Sequence, residues 1–151
     1  MISATLLCLV VGITDGDTLK ARCGDPGAYQ QITVRLAAID APESRQPFGR
    51  SSRQHLAALC HQREAVIQPR ARDRYGRTVA DVACAGQDAG RAQVAAGMAW
   101  VYDRYVAAQD APLYDLQRRA HAAGAGLWAD AETVPPWDWR RQARRPAAVP
   151  R

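Results

Sequence analysis

Leu6 to Thr14 is a nearly continuous apolar run that reads as a strand, and Thr18 to Cys23, in which Leu19, Ala21 and Cys23 alternate with polar residues, reads as its hairpin partner. Asp15-Gly16 lies between the two runs and predicts a type I′ hairpin. Cys23-Gly24-Asp25-Pro26-Gly27 reads as a turn cluster. A third strand is predicted over Gln31 to Ile39, where Val34, Leu36 and Ala38 alternate with Arg35 and Ala37. Pro42 cannot donate to a ladder and holds Ala41 extended, so that strand must stop there. Ser44 to Gly49 reads as loop, and a helix follows from about Ser51 to Cys60 with Leu56, Leu59 and Cys60 facing inward. Ala65 to Gln68 and Arg77 to Cys84 are the fourth and fifth predicted strands. Asp88 caps a second helix that Gly97 ends. Asp110 and Pro112 open a third, in which Leu113, Leu116, Ala120 and Ala123 recur at helical spacing until Gly124 and Gly126 stop it. Pro135-Pro136 and the arginine-rich end read as an irregular, partly mobile tail.

Five strands with helices inserted and appended suggest an α+β chain built on a small Greek-key barrel, with no internal repeat and no second domain. The expected division is one domain over residues 1–131 and a Pro/Arg-rich tail over 132–151. At 151 residues, 48% hydrophobic and 23% charged, the chain can bury a real core as an ordinary globule. Met1 to Val11 is apolar but lacks a basic n-region and a small-residue cleavage site, and it is too short for a membrane span. It reads as the first strand, with any leader already removed, and no membrane association is expected.

Charge refines this picture through its distribution. The net charge is +5, yet Arg140, Arg141, Arg144, Arg145 and Arg151 lie in the last twelve residues without an acid, so the body is neutral. Within that body, residues 44–80 hold eight arginines against Glu64 and Asp73, while residues 81–139 hold eight acids against four arginines. A positive face from the middle segment would suit a polyanion. The plainer reading is a solvated arginine-rich surface.

The four cysteines contain no Cys-x-x-Cys pair, and His55, His61 and His121 lack zinc-ligand spacing, which argues against a zinc site. Cys8 and Cys23 flank the Asp15-Gly16 turn almost symmetrically, whereas Cys60 ends a predicted helix and Cys84 a predicted strand. The preferred pairing is therefore 8–23 and 60–84, which implies an oxidising compartment, secreted or periplasmic. Four reduced, buried thiols are the alternative.

The chemistry converges on the end of the third strand. There Arg35 supplies a fixed cation, Asp40 and Glu43 supply carboxylates, and the bend offers free carbonyls suited to a hard metal. Asp17 adds a carboxylate and Arg77 a second guanidinium. Three ordered motifs carry a family likeness: Asp15-Gly16-Asp17-Thr18; Val34-Arg35-Leu36 with Ile39-Asp40-Ala41-Pro42-Glu43; and Asp73-Arg74-Tyr75-Gly76-Arg77. Gly97 to Tyr102 and Gly126-Leu127-Trp128 extend it more weakly. In these residues the chain resembles the staphylococcal nuclease (thermonuclease) family, over roughly positions 8 to 129.

That resemblance implies an OB-fold barrel with three helices and Ca²⁺-dependent hydrolysis of DNA and RNA with little base selectivity. The bond to the 5′ oxygen would break, leaving 3′-phosphates. It implies Asp17, Asp40 and the Ala41 carbonyl as metal ligands; the family often has Thr where Ala41 stands, a change a main-chain ligand survives. It also implies Glu43, Arg35 and Arg77 as catalytic residues. Glu43 would polarise the attacking water, and the planar forks of Arg35 and Arg77 would clamp the phosphate. Arg74 and Tyr75 match positions that touch a terminal phosphate, and Tyr102 and Tyr105 match those that flank a base.

Each assignment has a plainer counterpart. Asp15 is read as a turn residue, and alone Asp17 would be read the same way. Arg35 could be a structural salt bridge to Asp40 or Glu43, Arg77 a surface pair with Asp73, Glu43 an exposed loop carboxylate and Tyr102 a core residue. Trp100 and Trp128 are read as packing residues. An inactive nucleic-acid-binding or scaffolding module is the competing function, though such modules typically lose the acidic or arginine set that persists here. A single-strand binder without chemistry would show aromatic residues on its barrel strands, which are nearly free of them. The chain is expected to act as a monomer, with no protein partner.

Overall fold

The computed structural model describes residues 4–144. Its elements are β1 (Leu6–Asp15), β2 (Thr18–Cys23), β3 (Gln30–Leu36), β4 (Ile39–Asp40), α1 (Gly49–Cys60), β5 (Glu64–Arg72), β6 (Thr78–Cys84), β7 (Gln87–Asp88), α2 (Ala89–Ala95), β8 (Trp100–Val101), α3 (Pro112–Ala122) and α4 (Pro136–Ala143), with short 3₁₀ turns between. Five strands run in the order β3-β2-β1-β5-β6, and a parallel pairing of β3 with β6, Val34 opposite Thr78 to Leu36 opposite Ala80, closes them into a barrel. The expected five-stranded barrel is thus observed, with four α-helices among the described residues where about three were expected.

Alternation explains the barrel interior. In β1, Cys8 and Val10 point inward, and the inward set then resumes at Ile13. A register shift between Val10 and Gly12 accounts for the change of phase, since a bulge adds one residue to a strand and bends it. The bend lets β1 pair with β5 through Leu6–Leu9 and with β2 through Cys8–Asp15. Leu19, Val34, Ile67, Val82 and, from α1, Leu56 are buried in the core. Each such side chain contributes roughly 1.5–3 kcal/mol on leaving water.

Four local expectations need correction. The Asp15–Thr18 pair closes the β1–β2 hairpin around Gly16 and Asp17, neither of which has a positive φ, so the turn is not type I′. Gly16 is required for space instead: a Cβ there would lie 1.8 Å from Ser52 Oγ. The third strand does not reach Ile39, because the chain turns at Ala37-Ala38 with Ala38 at φ 67° before β4 begins. The fourth strand runs past Gln68 to Arg72, since a register shift between Pro69 and Ala71 absorbs the proline's missing donor. Finally, the segment after Pro135 is the helix α4, not irregular chain. Arg145 to Arg151 and Met1 to Ser3 lie outside the described residues.

Both expected disulfides are formed. Cys8 and Cys23 are register partners 4.3 Å apart at Cα, and Cys60–Cys84 ties α1 to β6 at 5.2 Å. Trp100 and Trp128 pack against each other with centroids 4.4 Å apart, as packing residues should. Among the described residues no helix is long and apolar enough to cross a membrane.

Candidate active site

The bend between β3 and β4 is built by the residue it presents. Arg35 Nη1 donates to the carbonyls of Leu36 and Ile39, both at 2.8 Å, and so stitches the turn around its own guanidinium. The left-handed Ala38, a conformation costing roughly 1–2 kcal/mol for a residue with a Cβ, is held by Tyr102 N–H donating to its carbonyl. Arg35 Nη2 then faces outward to Asp40 Oδ1 at 3.3 Å and Asp17 Oδ2 at 3.5 Å. One nitrogen therefore lies close to two carboxylates from separate elements.

Asp17 is buried and tightly bonded. Its Oδ2 accepts from the Ala41 N–H at 2.7 Å, its Oδ1 from Thr18 Oγ1 at 2.8 Å, and its carbonyl from Leu36 N at 2.8 Å. The hairpin turn and the β3–β4 bend are locked together by that one residue. Burial acts to raise the Asp17 pKa, but the Arg35 charge and the bonds it accepts outweigh it and hold the carboxyl below its usual value. Asp15, whose Oδ1 accepts from Asp17 N, moves the other way, raised by burial and by the Asp17 charge. Asp40 is 1% exposed, and burial, reinforced by the Asp17 charge, raises its pKa against the opposing guanidinium groups.

Glu43 sits on a loop anchored to α1. Gln46, itself buried, accepts from Glu43 N–H through Oε1 at 3.1 Å, while Gln46 N donates to the Glu43 carbonyl at 2.9 Å. Gly49, the first residue of α1, packs so close that a Cβ would lie 2.0 Å from that carbonyl. Behind the site, the fully buried Gln93 donates to the carbonyls of Gly16 at 2.7 Å and Ser52 at 3.0 Å, and its Oε1 meets His55 Nδ1. It connects α2, α1 and the turn carrying Asp17.

Asp17, Arg35, Asp40, Ala41 and Glu43 therefore come together. Arg77 makes no ion pair with these acids among the described residues: its Nε donates to Asp73 Oδ2 at 2.7 Å, the pairing that the plainer reading anticipated, and its guanidinium lies 5.4 Å from the Tyr75 ring centroid. Arg35 is likewise paired with an acid, but the acids are those of the cluster. Arg74 and Tyr75 are exposed beside Arg77, with Arg74 Nη2 donating to Tyr75 Oη at 2.8 Å. Tyr102 is half-buried and meets the exposed Tyr105 edge-on at 5.0 Å.

One participant escaped the sequence reading. Arg140, from α4, places Nη2 2.6 Å from Asp40 Oδ2 and Nη1 3.2 Å from Asp40 Oδ1 and 2.7 Å from Glu43 Oε1. The signal for this helix was present: Pro136 at its first turn, Asp138 beside it, and Arg140-Arg141 in its last turn. Gln46 and Gln93 gave no comparable signal, because their role depends on what folding brings to them.

The donor set suits a hard divalent cation, being all oxygen: two aspartates that reach one shared nitrogen, plus the carbonyl of Ala41, a residue whose N–H is bonded to Asp17. Among the described residues no three His, Cys, Asp or Glu side chains already gather around one metal-sized point. The third ligand would have to be that carbonyl, substrate or water.

Comparison with known proteins agrees with the motifs. Residues 33–130 match the family described as staphylococcal nuclease homologue. An uncharacterised endonuclease of Haemophilus influenzae is 43% identical over 138 residues, spanning 91% of this chain and 74% of that protein. The micrococcal nuclease of Shigella flexneri is 40% identical over 144 residues, 89% of this chain and 80% of that one. The staphylococcal-like nuclease CAN1 of Arabidopsis thaliana is 31% identical over 76% of this chain, which covers 35% of that longer protein. The chain belongs to the staphylococcal nuclease homologue family.

Proposed function

We propose that the chain is a Ca²⁺-dependent nuclease that hydrolyses phosphodiester bonds of DNA and RNA with little base selectivity, releasing the 5′ oxygen and leaving 3′-phosphates. The observation that carries this reading is the meeting of Arg35 with Asp17 and Asp40 at 3.5 and 3.3 Å at the β3–β4 bend, with Glu43 on the loop that follows β4. A guanidinium and an all-oxygen acidic set at one point provide for both the anionic phosphate and its counter-ion.

Asp17, Asp40 and the Ala41 carbonyl would hold the cation, which when bound lowers the pKa of a coordinated water and neutralises charge on the phosphate. Arg35 is preset by its two backbone bonds, so its outward nitrogen can donate to a non-bridging phosphate oxygen without reorganising. Glu43, partly exposed on its anchored loop, accepts the proton of the attacking water. Arg77, held at Nε by Asp73, has its Nη groups available for the phosphate oxygens opposite Arg35. Arg74 and Tyr75 bind a neighbouring phosphate, and Tyr102 and Tyr105 offer aromatic surface to a base of any identity. Two disulfides favour work in an oxidising space, secreted or periplasmic.

The test is digestion of plasmid and of RNA with Ca²⁺ or with chelator, beside Arg35→Ala and Glu43→Ala and with the product ends determined. The expected result is cleavage in Ca²⁺ only, reduced by at least ~100-fold in either variant. Cleavage that survives chelation or both substitutions would refute the mechanism. Nucleic acid retarded on a gel but left intact would favour a binding module instead.

A further inference from the structure

We propose that α4 is an intramolecular latch: Arg140 occupies the cation position of the acidic site, and a divalent metal binds only by displacing it. The inference rests on the metal site proposed above and concerns a residue that lies outside the segment, residues 33–130, matched to the family.

The Arg140 fork engages both oxygens of Asp40 and one oxygen of Glu43 within 3.2 Å. A metal taking Asp40 as ligand needs one of those same oxygens, and Arg35 already faces Oδ1. The two cations compete for one carboxylate. The contact is also no loose encounter of a flexible arm. Trp137 stacks on Tyr102 with centroids 5.3 Å apart and planes 6° from parallel, and meets Trp100 edge-on at 5.7 Å. Gln46 Nε2 donates to the Val134 carbonyl just before the helix.

Trp137 and Arg140 are three residues apart, so helical spacing brings them to one face. That single face covers both halves of the site at once, an aromatic ring on the tyrosine proposed to receive a base and a guanidinium on the carboxylates proposed to receive the metal. Gln46 couples the two further, because the residue that anchors the Glu43 loop also grips the approach to α4. The segment therefore mimics the occupied state with groups of its own.

Calorimetric titration of Ca²⁺ into the full chain separates the possibilities. Arg140→Gln removes the competing charge and is expected to tighten Ca²⁺ by about 10- to 100-fold, the range of one charge-assisted hydrogen-bond set. Trp137→Ala keeps every charge but loosens the helix, and is expected to tighten Ca²⁺ by several-fold. A purely electrostatic influence of Arg140 would leave the Trp137 variant at wild-type affinity and would overturn the latch. In the wild type, Ca²⁺ should also change the near-ultraviolet circular dichroism of the Trp137–Tyr102 pair, a change lost in Trp137→Ala. Ca²⁺ binding that Arg140→Gln leaves unchanged or weaker overturns the latch alone. Absence of Ca²⁺ binding from the wild type and both variants overturns the metal site and the latch together.

Discussion

Gln93→Leu should destabilise the protein by about 2–4 kcal/mol while leaving its fold intact. The substitution nearly preserves volume and suits a helix interior, so packing in α2 changes little. What it removes is the amide that donates to the carbonyls of Gly16 and Ser52, at 2.7 and 3.0 Å, from a side chain with no solvent exposure. A buried acceptor stripped of its donor costs about 1–3 kcal/mol. Ser52 lies within α1, where the helix ladder can still serve its carbonyl, so its share belongs at the low end. Gly16 lies in the hairpin turn and bears most of the loss. Urea unfolding followed by tryptophan fluorescence reads the change, and thermal unfolding should fall by roughly 5–15 °C for a chain of this size. Because Gly16 adjoins Asp17, Ca²⁺ affinity should weaken as well. A loss below about 1 kcal/mol would refute the reasoning, showing that water or backbone replaces the amide at no cost.

Arg70 donates to both oxygens of Asp81 and both oxygens of Asp110 at 2.7–2.9 Å, joining the barrel to the segment before α3. The Arg70 bonds hold the Asp110 carboxyl below its usual value, so its stabilisation is complete above the unfolded pKa of about 3.9 and disappears as pH falls through the lower folded value. Asp110→Asn should therefore lose about 2–3 kcal/mol at pH 7 and converge on wild type as pH falls below the lowered folded value in denaturant titrations; a pH-independent difference would refute this origin. Gly49→Ala should displace the Glu43 carbonyl, which the new methyl would approach to 2.0 Å, and lower kcat several-fold with the fold retained; unchanged kcat would show the loop position to be uncritical. Neutralising Arg141, Arg144, Arg145 and Arg151 while keeping Arg140 should flatten the salt dependence of DNA binding, as fewer phosphate counter-ions are released. An unchanged slope would show those charges to be idle.

Which features were legible in the sequence follows from how local their causes are. The Thr18–Cys23 strand, the Asp88 cap of α2 and the cysteine pairing depend on near neighbours and alternation, and all were readable. The carboxylates and Arg35 were readable because three motifs occur in order. The turn type was not, because Gly16 answers to Ser52, thirty-six positions away, rather than to its own dihedrals. The length of β5 was missed because a bulge let a proline remain within a strand. α4 was missed because two prolines and a run of arginines outweighed a Pro-at-N1 signature that was already in view. Arg77 was read with a surface pair to Asp73 as its plainer counterpart, and that pair is present, since both residues lie within one local motif.

The electrostatics of the bend explain why a guanidinium from so far along the chain comes to rest there. Asp17 and Asp40 share Arg35 at the bend, whereas the nearby Glu43 pairs with Arg140. Asp40 is almost fully buried, and burying an unpaired carboxylate is costly unless it takes up a proton or a cation. Its raised pKa records the first tendency, and Arg140 supplies the second. A site of the kind proposed for a dication is over-acidic without one, and some other positive charge within reach relieves it. The same surplus of negative charge that would draw Ca²⁺ into the bend draws α4 onto it, so removing a carboxylate should weaken both attachments. Asp40→Asn is therefore expected to release Trp137 from Tyr102 even with no metal present, visible as loss of their near-ultraviolet dichroism; retention of that signal would mean that aromatic packing, not charge, holds the helix in place.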